Sequence, residues 1–334
     1  MLDLIAAAAV SAIAAYLFLR KVVMERFPKL GIAGKDVHKP GTPLIPEMGG
    51  MALLFGMIVY IVTLSLLRPL SPEIVSVFLT IMIAGAIGII DDLKKLGKTT
   101  KPLLTTISAA PLILMGTTQE YLTLPLGISF HIPTLYKLIA PVTLAVTSNA
   151  INMFDVMNGT ATGTSIVTIS FLILAGVAKS LMGGGIGLDV LTQAALMVLP
   201  ALLVIYYFNR YPSRVFVGDT GTLSMGATIG ALSIVFGLEV MGVTTMMLPI
   251  TNAFFSLFSL GRLFERSELE ARPILVREGG LLEPNLDKRA PITFTRMMLL
   301  LGYSNERELV ETYLDIVLLT AFLGLMVSIF LIKW

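Results

Sequence analysis

Residues 73–92 read EIVSVFLTIMIAGAIGIIDD, a long run of apolar and small residues that ends in two adjacent aspartates, Asp91 and Asp92. A helix needs about 20 such residues to cross the hydrocarbon core of a bilayer. A charged residue at the bilayer centre costs about 2.5–3.5 kcal/mol or more, so the aspartates belong at the end of the span. The stretch therefore predicts a membrane helix that carries two carboxylates to one membrane face.

The rest of the chain has the same character. Hydrophobic residues make up 55% of its 334 residues and charged residues only 14%, whereas soluble domains are about 25% charged. The apolar runs are continuous and not alternating, which argues against a membrane β-barrel. Cysteine is absent and there are two histidines, so disulfides and thiolate or histidine-rich metal sites are excluded. The composition predicts an all-α polytopic membrane protein.

The apolar runs predict about ten membrane helices in a single domain, residues 1–334. The first run follows Asp3 with no basic residue before it, which predicts a retained anchor with its N-terminus outside and not a cleaved signal peptide. The C-terminus is then outside as well. The predicted spans are residues 3–20, 49–67, 73–90, 102–117, 135–151, 160–179, 189–208, 221–238, 242–261 and 313–332.

The basic residues test this topology. Most of the 24 lysines and arginines fall in loops that the topology places on the cytosolic side, as the positive-inside rule requires. A small β-hairpin is predicted in the outside connection 118–134, and a short strand in residues 271–280. The predicted cytosolic loops are 20–48, 91–101, 152–159, 208–220 and 262–312.

Acidic residues of three separate segments end on this predicted cytosolic face, where convergent carboxylates would suit metal-dependent phosphate chemistry. Asp91 and Asp92 could simply solvate a helix end, but the helix dipole disfavours acids there. Two adjacent carboxylates also suit a proton acceptor. Lys101 alone would be a snorkelling lysine, and beside a phosphate site it becomes a candidate phosphate anchor.

The second acidic segment, NAINMFDVMNG, spans residues 149–159 and holds three amides and one carboxylate without a basic residue. Asn149, Asn152 and Asp155 follow one another at helical spacing on a single face. The structural alternative is a set of helix C-caps with a turn at Asn158 and Gly159.

The third acidic segment, RVFVGDTG, spans residues 214–221. Its glycines would let the backbone approach a ligand closely, and a helix N-terminus there would favour an anion. The simplest structural role for Asp219 is the N-cap of the next helix. Phe216 either packs in the protein or stacks on a base. Glu47, in the proline-rich loop before the second span, lies at the same predicted membrane edge.

These motifs, in this order and in a ten-span protein, resemble the polyprenyl-phosphate N-acetylhexosamine-1-phosphate transferase family. The segments KDVHKPGTPLIPEMGG and YPSRVFVGDTG are more similar to its archaeal and eukaryotic branch, which uses UDP-N-acetylglucosamine and dolichyl phosphate. The bacterial peptidoglycan branch carries a histidine-rich motif that is absent here. A compact loop at 262–312 favours the plasma membrane of an archaeon over the endoplasmic reticulum of a eukaryote.

The resemblance implies a role for each matching residue. It also implies Mg²⁺ as cofactor, with Mn²⁺ as a possible substitute. The implied metal ligands are Asn152 and Asp219, the implied catalytic acids are Asp91, Asp92 and Asp155, and the implied substrate contacts are Lys101 for the pyrophosphate, Asn158 and Phe216 for uracil, and, more loosely, Arg272 for the sugar phosphate.

The implied reaction transfers a sugar 1-phosphate from a UDP-sugar to a polyprenyl phosphate and releases UMP, the first membrane step of a lipid-linked glycan such as that for N-glycosylation. The expected partners are these two substrates and the bilayer, with no nucleic acid; a homodimer is compatible with the sequence. Two other classes stay open. A secondary transporter would carry its acids near mid-membrane in repeated halves, and a non-catalytic lipid-binding protein would tolerate the loss of Asp219.

Overall fold

The computed structural model describes residues 1–124, 128–184, 186–261 and 268–332, and in this part of the chain helices predominate. The first α-helix, Leu2–Phe18, continues into a π-helical turn at Leu19–Met24. The α-helices in chain order are α1 Leu2–Phe18, α2 Gly50–Ser65, α3 Pro72–Leu93, α4 Thr100–Ile107, α5 Ala110–Leu114, α6 Pro133–Phe154, α7 Thr160–Leu181, α8 Leu188–Asn209, α9 Gly218–Phe236, α10 Glu239–Thr245, α11 Met247–Leu260, α12 Phe294–Leu300 and α13 Glu306–Ile332.

Helices lie at each of the ten predicted spans, and the polytopic helical architecture is confirmed. Five helices of the described part are long and apolar enough to cross a membrane, and a sixth span results if α10 and α11 are joined. The fourth predicted span is divided into α4 and α5. The ninth is divided into α10 and α11, which bend by 63° at their junction. The number of spans and the sides of the termini remain predictions.

Three small antiparallel hairpins complete the described fold. The strands β1 Ala33–Lys35 and β2 Leu44–Pro46 pair within the first long loop. The strands β3 Tyr121–Leu124 and β4 Ile128–His131 form the predicted hairpin between α5 and α6, and its turn, 125–127, lies outside the described residues. The strand expected in residues 271–280 is β5 Ile274–Val276, which pairs with β6 Leu282–Pro284. The start of the predicted loop 262–312 also lies outside the described residues.

Helix α9 is the central element, because every residue from Thr220 to Phe236 is buried. Helices α3 and α6 pack against it most extensively, and α7 and α2 also contact it. Glycines permit the close approach. A β-carbon on Gly88 of α3 would lie 2.5 Å from the Asp219 carbonyl, and one on Gly226 of α9 would lie 2.4 Å from the Ser148 Cα of α6. Small residues at such crossings let backbones touch, so the ends of α3 and α6 meet the start of α9.

Candidate active site

Four of the predicted site residues meet where α3, α4, α6 and α9 come together. Lys101, in the first turn of α4, is only 8% exposed. Its Nζ lies 2.6 Å from Oδ2 of Asp91 and 3.0 Å from Oδ2 of Asp219. Asp91 is fully buried, and its Oδ1 accepts a hydrogen bond of 2.6 Å from the backbone N–H of Leu96. One ammonium group therefore bridges two of the three acidic motifs.

Asn152 joins this cluster from the last turn of α6. Its side-chain nitrogen lies 2.5 Å from Oδ1 of Asp219 and 2.8 Å from Oγ1 of Thr222. The two oxygens of Asp219 thus face different partners, Lys101 on one side and the amide of Asn152 on the other. Asn149, one turn earlier, contacts Thr105 of α4 at 3.0 Å, so its role in the described contacts is to join α6 to α4.

Asp92 has a different environment from its neighbour. Its carboxylate accepts hydrogen bonds from the backbone N–H groups of Asp219 at 2.8 Å and Thr220 at 2.9 Å, and from the Thr220 hydroxyl at 2.6 Å. A carboxylate at a helix N-terminus satisfies unpaired N–H groups and is favoured by the helix dipole. The prediction that Asp219 caps α9 is wrong. Asp219 lies inside the first turn, where it makes no side-chain cap, and Asp92 of α3 supplies the carboxylate.

Gly218 explains the local sequence at this junction. Its φ of +69° lies in the left-handed region, which disfavours a side chain, and a β-carbon there would come within 2.7 Å of Oδ2 of Asp92. A glycine at this position lets the chain turn into α9 directly against the Asp92 carboxylate. In the third motif, Gly218 thus permits the close approach to Asp92, and Asp219 supplies the carboxylate of the cluster.

The charges of the cluster influence its titration. Burial lowers the pKa of Lys101, but the nearby carboxylates of Asp219 and Asp91 outweigh burial and raise that pKa above its ordinary value. Lys101 is therefore a permanent cation at neutral pH. Burial raises the pKa of Glu47, and the charges of Asp92 and Asp219 add to the rise. Glu47 thus lies within electrostatic range of the cluster.

Phe216 lies next to the loop that carries Glu47. Its backbone N–H donates to the carbonyl of Pro46 and its carbonyl accepts from the N–H of Gly49, both at 2.8 Å. These bonds tie the strand-like segment before α9 to the start of α2. Phe216 is half-buried, and the described contacts do not separate its packing role from base stacking.

Asn158 lies in a second, buried polar cluster that sequence reasoning missed. Its side-chain amide donates to Asp36 at 3.1 Å, and its backbone N–H donates to Glu306 at 3.0 Å. Lys39 Nζ lies 2.5 Å from Glu306 and 3.2 Å from Asp36. The first loop, the turn after α6 and the start of α13 are thereby joined. The predicted turn at Asn158 is confirmed, since Gly159 has a φ of +84°.

The two other predicted site residues are Asp155 and Arg272. Asp155 ends α6 just beyond Phe154. The carbonyl of Arg272 accepts a hydrogen bond of 2.8 Å from the Asn285 side chain, within the β5–β6 region. The Lys39–Glu306 pair could not be predicted from local sequence patterns, because its members are 267 positions apart. The only available signal was a lysine and a glutamate at opposite ends of the predicted cytosolic loops.

The donor set at Asp219 fits a hard divalent cation that is shared with a substrate. Among the described residues, no group of three or more histidine, cysteine or acidic side chains is placed to hold a metal alone. Mg²⁺ commonly takes one or two carboxylates and completes its shell with water and substrate phosphates. Asp219 offers one carboxylate, and the Asn152 amide, if reversed, would offer a carbonyl oxygen to the same space. The carboxylates of Asp91, Asp92 and Asp219 outnumber the nearby ammonium groups, which are buried Lys101 and exposed Lys95, 3.9 Å from Asp219. An excess of negative charge therefore remains.

Comparison with known proteins supports the resemblance. The family described as Glycosyl transferase family 4 matches residues 74–237, a range that includes Asp91, Lys101, Asn152 and Asp219. A protein of Saccharolobus solfataricus, provisionally named a UDP-N-acetylglucosamine–dolichyl-phosphate N-acetylglucosaminephosphotransferase, is 32% identical over 64% of this chain. A protein of Sulfolobus acidocaldarius with the same provisional name is 29% identical over 64% of this chain.

The chain spans 65% of the length of the first archaeal relative and 66% of the second. A Bacillus subtilis protein, provisionally named an undecaprenyl-phosphate N-acetylglucosaminyl 1-phosphate transferase, is 24% identical over 77% of this chain and 70% of its own length. The resemblance that the three motifs predicted is therefore confirmed: the central part of the chain matches glycosyl transferase family 4, and its relatives include archaeal proteins that are provisionally named N-acetylglucosaminephosphotransferases.

Proposed function

We propose that this protein transfers N-acetylglucosamine 1-phosphate from UDP-N-acetylglucosamine to a dolichyl-type polyprenyl phosphate and releases UMP. The observation that carries the proposal is the cluster of Asp91, Lys101, Asn152 and Asp219, which three separate motifs bring to one end of the membrane helices. A reaction between a water-soluble nucleotide sugar and a membrane-anchored phosphate needs its polar groups at such an edge.

Asp219 and Asn152 would hold Mg²⁺, or Mn²⁺ in its place. When bound, the cation would offset the charge of the pyrophosphate and orient it. The proposal is supported by the single carboxylate and the adjacent amide at this point, with substrate oxygens left to complete the coordination.

The chain's own residues would position the reactants. An oxygen of the lipid phosphate attacks the phosphorus that bears the sugar, the bond from that phosphorus to the bridging oxygen breaks, and UMP leaves. Lys101 would contact the pyrophosphate, since its buried ammonium already lies between two carboxylates. Asp91 would accept a proton from the lipid phosphate. Catalysis of this kind depends mainly on positioning and charge stabilisation, and we favour direct attack over a covalent aspartyl intermediate.

Asp92 would act through α9, because its oxygens already bind the first turn of that helix. Asn158 and Phe216 would contact uracil, and Arg272 would contact the sugar phosphate. Glu47 would line the edge nearest Asp92 and Asp219. Asp155 ends α6 three residues beyond Asn152, and its role would be to support that helix end during the reaction.

The membrane arrangement follows the same proposal. About ten spans with both termini outside would place the cluster at the cytosolic face of an archaeal plasma membrane, where nucleotide sugars are available. The product would be the first lipid-linked intermediate of a glycan for protein N-glycosylation. Association into a homodimer is compatible with this arrangement.

The transporter alternative is weakened by the position of the acids. Asp91, Asp92 and Asp219 lie at helix ends, whereas coupling acids of secondary transporters lie near the middle of the membrane on broken helices. A non-catalytic lipid-binding protein would not need the buried Lys101 bridge between two carboxylates.

The proposal is tested with purified protein in detergent, dolichyl phosphate, Mg²⁺ and a set of UDP-sugars, by following UMP release. UMP release that requires the lipid and one UDP-sugar would support the transferase and identify the sugar. Folded protein that releases no UMP with UDP-N-acetylglucosamine, UDP-N-acetylgalactosamine or an acidic derivative would contradict it.

A further inference from the structure

A second polar cavity lies beside α8 and α13; Asn158 lines it, but Asp91, Asp92, Lys101, Asn152 and Asp219 do not. Its volume is ≈ 560 Å³, within the range of about 300–1,000 Å³ that is typical of small-molecule sites. The residues that give it its chemical character are Arg210, Arg214, Arg307, Glu311, Tyr207 and Tyr211.

The cavity carries an excess of positive charge. Arg307 is paired with Glu311 at 2.7 Å, but neither Arg210 nor Arg214 forms an ion pair with any residue that the structure describes. The only side-chain hydrogen bond of Arg214 to a described residue goes to the carbonyl of Tyr207 at 3.1 Å. Guanidinium groups with unused donors recognise phosphate oxygens through two parallel hydrogen bonds.

Aromatic rings hold these arginines in place. The guanidinium carbon of Arg210 lies 5.2 Å from the centre of the Tyr207 ring, and that of Arg214 lies 4.9 Å from the same ring and 4.6 Å from the ring of Phe208. Cation–π contacts of this length are attractive. The two cations are therefore arranged around one tyrosine, on side chains that are themselves exposed.

The position of the cavity points to a lipid. It lies at the C-terminal end of α8 and beside the first turns of α13, and both helices are long and apolar enough to cross a membrane. Tyr207 is 52% exposed and Leu203, one turn deeper in α8, is 51% exposed, while Leu318 of α13 is 48% exposed. Apolar side chains thus extend from the cavity along the outer surface of the helices, where acyl or isoprenoid chains would lie, and tyrosine is enriched at the membrane interface.

We propose that this cavity binds the phosphate headgroup of an anionic membrane lipid, distinct from the polyprenyl phosphate acceptor. Arg210 and Arg214 bind the phosphate, Tyr207 orients both arginines, and the lipid chains follow the exposed faces of α8 and α13. Basic pockets between membrane helices are a known form of anionic-lipid site. Because Asn158, the proposed uracil contact, also lines this cavity, the binding experiment includes UMP as a competitor.

Binding is measured by native mass spectrometry of the purified protein titrated with phosphatidylglycerol, with phosphatidylcholine as the zwitterionic reference. Wild-type protein is expected to retain phosphatidylglycerol in preference to phosphatidylcholine. The double variant Arg210→Gln with Arg214→Gln is expected to bind phosphatidylglycerol roughly 30-fold more weakly. Each basic residue near an anionic lipid contributes about 1 kcal/mol to binding, and about 1.4 kcal/mol corresponds to a tenfold change in affinity. The double lysine variant keeps the charge but loses the planar guanidinium group. Its affinity for phosphatidylglycerol is expected to lie between those of the wild type and the double glutamine variant.

The charge-matched control is Arg277→Gln with Arg289→Gln, because those exposed arginines pair with Glu283 and Asp287 elsewhere. This control is expected to bind phosphatidylglycerol like the wild type. Equal binding of phosphatidylglycerol by the wild type and the double glutamine variant would overturn the proposal, as would equal retention of phosphatidylcholine. Displacement of phosphatidylglycerol by inorganic phosphate or by UMP would reassign the cavity to a free anion or to a nucleotide. The lysine variant keeps the test decisive if the glutamine variant does not fold.

Discussion

The carboxylate of Asp92, at the end of α3, accepts a hydrogen bond from the backbone N–H of Asp219 in the first turn of α9, with 2.8 Å between Oδ1 and nitrogen. Asp91, its neighbour in sequence, contacts the Lys101 ammonium at 2.6 Å. Successive residues of a helix point about 100° apart, so the two identical side chains reach different partners. One carboxylate holds the helix that carries Asp219, and the other lies in the charged cluster.

Substitutions of Asp92 should therefore affect stability first. Asp92→Ala should lower the free energy of unfolding by about 1–2 kcal/mol, because the N–H groups at the start of α9 lose their acceptor. Asp92→Asn keeps an acceptor oxygen and should retain most of that stability. Thermal unfolding of the two variants in the same detergent measures the difference. An alanine variant as stable as the asparagine variant would contradict the capping role.

Asp91 is expected to respond differently. Asp91→Asn preserves the size of the side chain but removes the charge beside Lys101, so UMP release should fall by a larger factor than in Asp92→Asn. The comparison uses initial rates at saturating substrates, normalised to folded protein. Equal losses in both variants would mean that the pair acts as a unit and that the two roles are not separable.

Lys101 should contribute to the stability of the folded protein even when no substrate is bound. Lys101→Met leaves Asp91 and Asp219 without their shared cation, and loss of one member of a buried ion pair typically costs about 3–5 kcal/mol. Chemical denaturation followed by circular dichroism measures this cost. The matched control is Lys98→Met, because Lys98 pairs with Glu268 at the surface and exposed pairs contribute about 0–1 kcal/mol. Similar losses in the two variants would contradict a buried structural role for Lys101.

The buried polar cluster around Asn158 and Glu306 should stabilise the turn after α6. Glu306 is 5% exposed and accepts from Lys39 and from the Asn158 backbone, so Glu306→Gln should weaken both contacts. Hydrogen–deuterium exchange of residues 155–160 should become faster. Glu308→Gln, at an exposed position of the same helix turn, is the control and should leave exchange unchanged. Identical exchange in both variants would show that Glu306 does not hold this turn.

Most of the cluster could be predicted from the sequence, because charged residues are costly inside the bilayer and are therefore expected at the ends of membrane helices. Asp91, Asn152 and Asp219 each follow or precede a long apolar run, and the distribution of lysine and arginine assigns these ends to one side. The contacts of Asp91 and Asp219 to Lys101 then required only that neighbouring helix ends meet. The order of the motifs was sufficient for the family resemblance.

Other features depend on tertiary structure that no local pattern encodes. Asp91 and Asp92 are chemically identical, and only the close approach of Gly88 to the start of α9 decides which one caps that helix. The junction of α10 and α11 bends at Met246, three residues before Pro249, which cannot donate a helical hydrogen bond to Thr245. Prolines also lie inside α6 and α8 without ending them, so a proline in the ninth apolar run did not by itself predict a break. The pairing of Lys39 with Glu306 joins opposite ends of the chain and has no signature in spacing.

Removal of the divalent cation should abolish the reaction without unfolding the protein. The Lys101 ammonium lies 3.0 Å from Oδ2 of Asp219, so the protein itself supplies a cation beside this carboxylate. EDTA should stop UMP release, and added Mg²⁺ should restore it, with an unfolding temperature that changes little. Activity that persists after exhaustive chelation would contradict the proposed use of a metal ion.

The most direct test of the proposed function is UMP release by wild-type protein and by Asp219→Asn, with dolichyl phosphate, UDP-N-acetylglucosamine and Mg²⁺. Asp189→Asn is the matched control, since Asp189 lies in the first turn of α8 and pairs with Arg68 far from the cluster. The proposal predicts lipid-dependent UMP release by the wild type and the control, and a loss of nearly all turnover in folded Asp219→Asn. Turnover in Asp219→Asn close to that of the wild type would contradict the assignment of this cluster as the active site.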